Sequence, residues 1–273
     1  MNRRGVTLAE CAVALATGAV VLAALHLLLL AATRAREREA ARREARGTVR
    51  AAAAILRSEL QGVAASAGDL VALDDTALSV RAVRAHGSAC TQPAPDRLVV
   101  GAGSWSALRA ADPARDVARV FLDGDPDDPA DDAWWVAPIA ATRSGSCPDG
   151  SAGILLTLAQ ASPSAVAVGA PVRLLETVEY RLYADATGQR WLGTRTRSVS
   201  GWTVTSPLVG PLRAGDGLHV DAVDSSGAAA ASPAKAVLMV LTMHARSSRL
   251  MPRAGGVRSP AEDSLRFAVA VGP

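Results

Sequence analysis

Aromatic side chains make up only 3% of this 273-residue chain, and Lys235 is its single lysine. The formal net charge is +3, so arginine richness is nearly balanced by carboxylates. The basic character therefore says little about nucleic acid, and no nucleic-acid partner is expected. No proline precedes Pro93, so nothing in the first third of the chain must break a helix. The sequence also lacks a Gly-x-Ser-x-Gly elbow, a Gly-Lys-Ser/Thr phosphate loop, a His-Glu-x-x-His pair and a Cys-x-x-Cys pair. His26, His86, His219 and His244 are scattered. A hydrolase is therefore the weakest of the functional readings, and no enzyme is expected.

What is abundant is apolar surface: 49% of the residues are hydrophobic, enough for one membrane helix and one domain of ordinary size. An unbroken apolar run covers Cys11 to Ala32, about 33 Å if helical, which matches a bilayer core. Immediately before it stand Arg3, Arg4, Gly5, Val6, Thr7, Leu8, Ala9 and Glu10. A carboxylate so close to a helix N-terminus is favoured by the helix dipole, yet within lipid it is costly until it meets a cation.

This start resembles the signal of type IV prepilins and type II secretion pseudopilins. There a short basic leader ends in Gly, an apolar helix follows, and a Glu stands five residues past the Gly. The resemblance implies cleavage after Gly5, with Val6 as the new, methylated N-terminus and the helix retained, unlike an ordinary secretory signal. It also implies that Glu10 meets the terminal amine of a neighbouring subunit during assembly. Val6 replaces the usual Phe, and Ala9 and Cys11 replace larger aliphatics.

The expected fold is α+β: a long N-terminal transmembrane and stalk helix packed on an antiparallel, β-rich globular domain, as in pilins. The segments are a leader at 1–5, a transmembrane and assembly helix at 6–33, the outer half of the stalk at 34–66 and the β-rich domain at 67–273. Val49, Ala52, Leu56, Leu60 and Val63 continue an apolar stripe beyond the membrane, and a helix taken to Gly62 would be about 85 Å long. Gly18 and Gly47 are its weak points. Arg34, Arg36, Arg38, Arg42, Arg43, Arg46 and Arg50 outnumber Glu37, Glu39 and Glu44 just past the run. Counted by the positive-inside rule, they place the domain in the cytoplasm. The leader motif requires the opposite topology, with the N-terminus cytoplasmic, and is preferred here.

After Gly68 the pattern turns to strands. They are expected at Ala77 to Val83, Arg97 to Val100, Val117 to Leu122, Trp134 to Ile139, Ile154 to Leu158, Leu218 to Val223, Ala236 to Met243 and Leu265 to Val271. Thr177 to Tyr183 and Arg190 to Arg197 read as a hairpin turned at Asp185-Ala186-Thr187-Gly188, with Val178, Tyr180 and Leu182 on one face. Val237 to Met243 is apolar on both alternations and so reads as central. Ala161 to Ala170, Ser225 to Pro233 and Met251 to Pro260 read as loops.

Three local features carry chemistry. Cys90 and Cys147 lie in turn-like contexts, and an oxidising periplasm would join them, closing a loop for about 3 to 5 kcal/mol; two separate buried thiols are the alternative. Cys11 is a small apolar membrane residue. Asp123, Asp125, Asp127 and Asp128 belong to an acidic loop ending at Asp132, which is either a Ca²⁺ cage or simply solvated; it lacks the EF-hand spacing. No other cofactor is expected. Trp134 and Trp135 put one ring on each face of a strand, for core packing or partner contact.

The functional expectation is a structural minor pilin or minor pseudopilin that initiates or caps an envelope filament. Its partners would be other pilins or pseudopilins, the prepilin peptidase, an inner-membrane assembly platform and membrane lipid. It would sit in the bacterial inner membrane as a single-pass protein with a periplasmic domain. The alternative is a membrane-anchored periplasmic adhesive or ligand-binding module.

Overall fold

A computed structural model of the chain describes residues 7–124, 127–128, 130–252 and 257–272. The first element, α1, is a single helix over Leu8–Leu60. Thr7 caps it, and the chain leaves it through Gln61, whose N–H reaches the Arg57 carbonyl at 3.1 Å. Gly62 follows at φ 82°, a conformation that costs a glycine little and makes the turn toward the sheet. The helix therefore ends two residues before Gly62, and it continues through Gly18 and Gly47 without interruption.

Its two halves have different surroundings. From Leu8 to Glu39 every residue is exposed, a projecting length of about 48 Å. From Ala41 onward Ala41, Ala45, Thr48, Val49, Ala52, Ala53, Leu56 and Leu60 form a buried stripe at three- and four-residue spacing. Half of that stripe is alanine, whose small side chain permits a close approach of helix to strands.

The strands, in chain order, are β1 (Leu70–Asp74), β2 (Ala77–Ala94), β3 (Arg97–Gly101), β4 (Ser106–Ala107), β5 (Asp116–Leu122), β6 (Ala133–Ser146) and β7 (Ala152–Leu158). They continue as β8 (Pro171–Ala184), β9 (Arg190–Ser198), β10 (Gly201–Trp202), β11 (Ser206–Leu212), β12 (Leu218–Val223), β13 (Leu238–Pro252) and β14 (Arg258–Ala270). All fourteen join one hydrogen-bonded sheet, with the order β1-β2-β3-β7-β6-β5-β8-β9-β11-β13-β12 along its main path. Strand β8 organises it: β2 pairs along one edge, while β5 takes residues 172–176 and β9 takes 178–184 of the other.

Two cores result. The larger packs the buried stripe of α1 against Val80, Val178, Tyr180, Leu192, Leu218, Met239, Leu241, Met243 and Phe267. The second lies beyond the end of the helix, among Leu98, Val100, Val120, Ile139, Leu156, Val172 and Leu174. Both cores share one face of β8, where Val172 and Leu174 serve the second and Val178 and Tyr180 the larger, with the charged Glu176 standing between them; a register shift in β2 between Val83 and Ala85 changes which of its residues face that side.

The structure departs from the sequence reading in several places. Strand β2 runs on to Ala94, so Cys90 lies in a strand and not in a turn. Met251 to Pro260, read as a loop, contains the facing ends of β13 and β14, with Leu250 opposite Pro260 and Met251 opposite Ser259. Strands β1, β4, β10 and β11 were not anticipated. The hairpin of β8 and β9 pairs Val178 with Thr196 through Ala184 with Arg190. Strand β13 is central, held by β12 on one edge and β14 on the other.

Candidate functional site: the projecting apolar helix and its anchorage

The helix begins with a reciprocal capping box. The Glu10 N–H donates to Thr7 Oγ1 at 3.3 Å, while Thr7 N–H and Oγ1–H donate to Glu10 Oε2 at 2.9 and 3.0 Å. Thr-x-x-Glu was legible in the sequence at this spacing and gives Glu10 a local role that the leader comparison alone did not suggest. Gly5 and Val6, the expected cleavage residues, lie outside the described residues. The helix is long and apolar enough to cross a membrane, and its apolar window is wholly exposed.

Polar contacts fix the other half to the domain. Arg46 Nε meets Asp263 Oδ2 at 3.3 Å, and Glu44 Oε1 accepts from the N–H and hydroxyl of Ser248 at 2.9 and 2.6 Å. Arg57 stacks over the Phe267 ring at 4.7 Å. Near the helix end, Glu59 receives Arg84 at 3.0 Å, and Arg84 also donates to Glu176 on β8 at 2.8 Å. Glu176 is further approached by Arg109 at 3.2 Å and Arg115 at 3.4 Å, and Arg109 closes on Asp116 at 2.6 Å. Burial, then the neighbouring Glu59 carboxylate, pushes the Tyr180 hydroxyl above its ordinary pKa. This cluster ties α1, β2, β5 and β8 together.

A second clamp secures the connection from helix to sheet. Arg119 on β5 forms a two-pronged pair with Asp69, both about 2% exposed, and also donates to the Ala67 carbonyl at 3.1 Å. Asp69 in turn accepts the Ala64 N–H at 3.1 Å. Neither clamp was visible in the sequence, because the pairs that join separate elements are far apart in it: Arg84 lies 25 residues from Glu59 and 92 from Glu176, and Arg119 lies 50 from Asp69.

The remaining candidates lie elsewhere. Cys90 and Cys147 are joined by a disulfide with Cα atoms 5.6 Å apart, in a small separate cluster with Val99 and Leu155. Beside it opens a cleft of about 550 Å³, lined in part by Ser88, Gly103, Ser104, Pro148, Asp149 and Val168. Of the acidic loop, Asp125 lies outside the described residues. Local desolvation, and then proximity to Asp123, Asp131 and Asp128, raises the Asp132 pKa. Among the described residues no group of three or more His, Cys, Asp or Glu side chains is placed to hold a metal ion. Trp134 is 39% exposed, packs edge-on to Phe121 and lies under Arg173, whereas Trp135 packs against the second core. His219 meets Asp221 at 3.1 Å on β12, and His244 lies on β13.

Comparison with family models, with curated proteins and with solved structures found no match to this chain. Functional inference therefore rests on the residues and their geometry.

Proposed function

We propose that this chain is a minor pilin or minor pseudopilin, a structural subunit that initiates or caps an envelope-spanning filament of the type IV pilus kind. The observation that carries the reading is a 32-residue projection of α1, apolar over most of its length and opening on a single carboxylate, rigidly continuous with a helix docked on a sheet. Such an arrangement suits a subunit stored in the inner membrane and later drawn into a bundle of like helices.

In this reading a prepilin peptidase cuts after Gly5 on the cytoplasmic side, Val6 becomes the methylated terminus, and an inner-membrane platform passes the subunit to its neighbours. Glu10 selects the depth of insertion by pairing with a neighbour's terminal amine, because an unpaired carboxylate in lipid is unfavourable. The capping box separates two roles that Glu10 can play. Glu10→Gln keeps a side chain able to cap the helix and removes the charge, whereas Glu10→Ala removes both. Recovery of the protein with its filament partners should fall for both variants. Full recovery with Glu10→Gln would mean that only the cap matters, and unchanged recovery with both would contradict the filament reading.

The cleft beside the disulfide favours one other reading, an anchored module that binds a small ligand there. It requires that the helix be an anchor only, so that neither Glu10 variant alters function.

A further inference from the structure

At the point where α1 leaves its apolar run, the domain returns to meet it. The paired ends of β13 and β14 lie against the helix at Glu37, where Glu37, Arg249, Leu250, Met251 and Arg258 line a shallow cleft of about 260 Å³. Glu37 is five residues past Ala32, about 8 Å further along the helix axis. A bilayer around the apolar run would therefore place this hairpin end at the level of the headgroups.

Its composition fits that position. Leu250 is 58% exposed and Val257 64%, although the larger core lies close by on the same two strands. Arg249 and Arg258 flank them, and Arg34, Arg36 and Arg38 emerge from the helix alongside. Among the described residues of 34–39 and 249–258 the carboxylates are Glu37 and Glu39, and Glu39 is met by Arg43 at 3.7 Å. Apolar residues bordered by arginine are what a headgroup layer accommodates: the former enter the upper acyl region and the latter meet lipid phosphates. The hydrogen bonds from Ser248 to Glu44 and the Arg46 contact to Asp263 tie the same two strands to the helix about 10 to 14 Å further from the apolar run.

We propose that the end of the β13–β14 hairpin is a second membrane contact, seating Leu250 and Val257 in the headgroup layer of an anionic bilayer, with Arg249 and Arg258 on lipid phosphate. The inference rests on α1 spanning the membrane. It gives the arginine cluster after the apolar run a use that does not depend on which side of the membrane the domain occupies.

The test uses the full chain in vesicles of phosphatidylcholine, with and without phosphatidylglycerol. Cys11→Ser leaves only the disulfide cysteines, so Val257→Cys can carry one fluorophore, with Thr187→Cys on the β8–β9 turn as the distant control. Headgroup-spin-labelled lipid should quench the label at 257 and leave that at 187 unaffected. The quenching should be stronger with phosphatidylglycerol. Arg249→Gln and Arg258→Gln should each weaken this preference roughly fivefold. Protein that floats with the vesicles but shows equal quenching at both positions would overturn the hairpin contact while leaving the spanning helix intact. Protein that fails to float, or is released by alkaline carbonate, would overturn the spanning helix and this inference with it.

Discussion

Replacing Arg119 by Leu should be among the most damaging single changes in the domain. The guanidinium is 2% exposed and donates to both oxygens of Asp69 and to the Ala67 carbonyl. Leucine fills much of the stem but leaves the Asp69 carboxylate buried, with the Ala64 N–H as the one remaining donor to it among the described residues. Breaking a buried pair from one side costs about 3 to 5 kcal/mol, because the surviving charge has neither water nor a partner. For a domain of this size that corresponds to a fall in Tm of roughly 6 to 20 °C. The assay is intrinsic fluorescence of the full chain in detergent during heating or denaturant titration. Trp105, Trp134, Trp135, Trp191 and Trp202 all lie outside α1, so the signal reports the sheet domain without interference from the helix. Adding Asp69→Asn to Arg119→Leu removes the stranded charge and should restore stability to within about 2 kcal/mol of the parent. A loss below about 1 kcal/mol for the single variant, or a double variant worse than the single, would refute the argument that the clamp is a dry, mutually dependent pair.

Other consequences can be checked separately. Cys90 and Cys147 are 57 residues apart, so Cys90→Ser with Cys147→Ser should lower stability by about 4 kcal/mol in the chain-entropy picture, read by denaturant titration against the oxidised parent. Asp185 in the β8–β9 turn accepts from the Thr187 hydroxyl, the Trp191 indole and the backbone N–H groups of Gln189 and Thr187, which lower its pKa from 3.8 to about 2. Its ionised form therefore supports the turn in full above pH about 4, and that support is lost as pH falls through about 2. The Trp191 indole N–H resonance should report a midpoint near the lower value, and one near 3.8 would contradict the hydrogen-bonded turn. Leu56→Ala, beneath the helix, should cost about 2 to 5 kcal/mol and loosen the docked half of α1, seen as faster hydrogen exchange there.

The parts of the fold that read plainly from sequence are those where periodicity acts alone. The run from Cys11 to Ala32 and the stripe Val49, Ala52, Leu56, Leu60 define α1, and Val178, Tyr180 and Leu182 with a Gly188 turn define a hairpin. Gly188, at φ 79°, occupies a conformation that other residues rarely take. Strand β11 was obscured by Pro207, Gly210 and Pro211, which argue against a strand inside a sheet. It is accommodated because its register shifts twice against β9 and it meets β13 at a single described pair, Leu212 with Ala245. The full length of β2 was hidden by the register shift that reverses its faces after Val83. The anchoring clusters around Glu176 and Asp69 are assembled by tertiary contact among charged residues that each look like ordinary surface groups in the sequence. Of the proposed functional start, the Thr7-x-x-Glu10 cap and the apolar run were written in the chain, while the nearby return of β13 and β14 to Glu37 appears only in three dimensions.

The central claim is that the apolar half of α1 is retained after processing at Gly5 and serves assembly. The most direct measurement is the N-terminal residue and intact mass of the membrane-bound protein, produced with and without a prepilin peptidase. The account requires a mature chain that begins at Val6, methylated, only when the peptidase is present. A chain that keeps Met1 under both conditions, or is cut beyond Ala32, would contradict it and leave an anchored or secreted binding protein in its place.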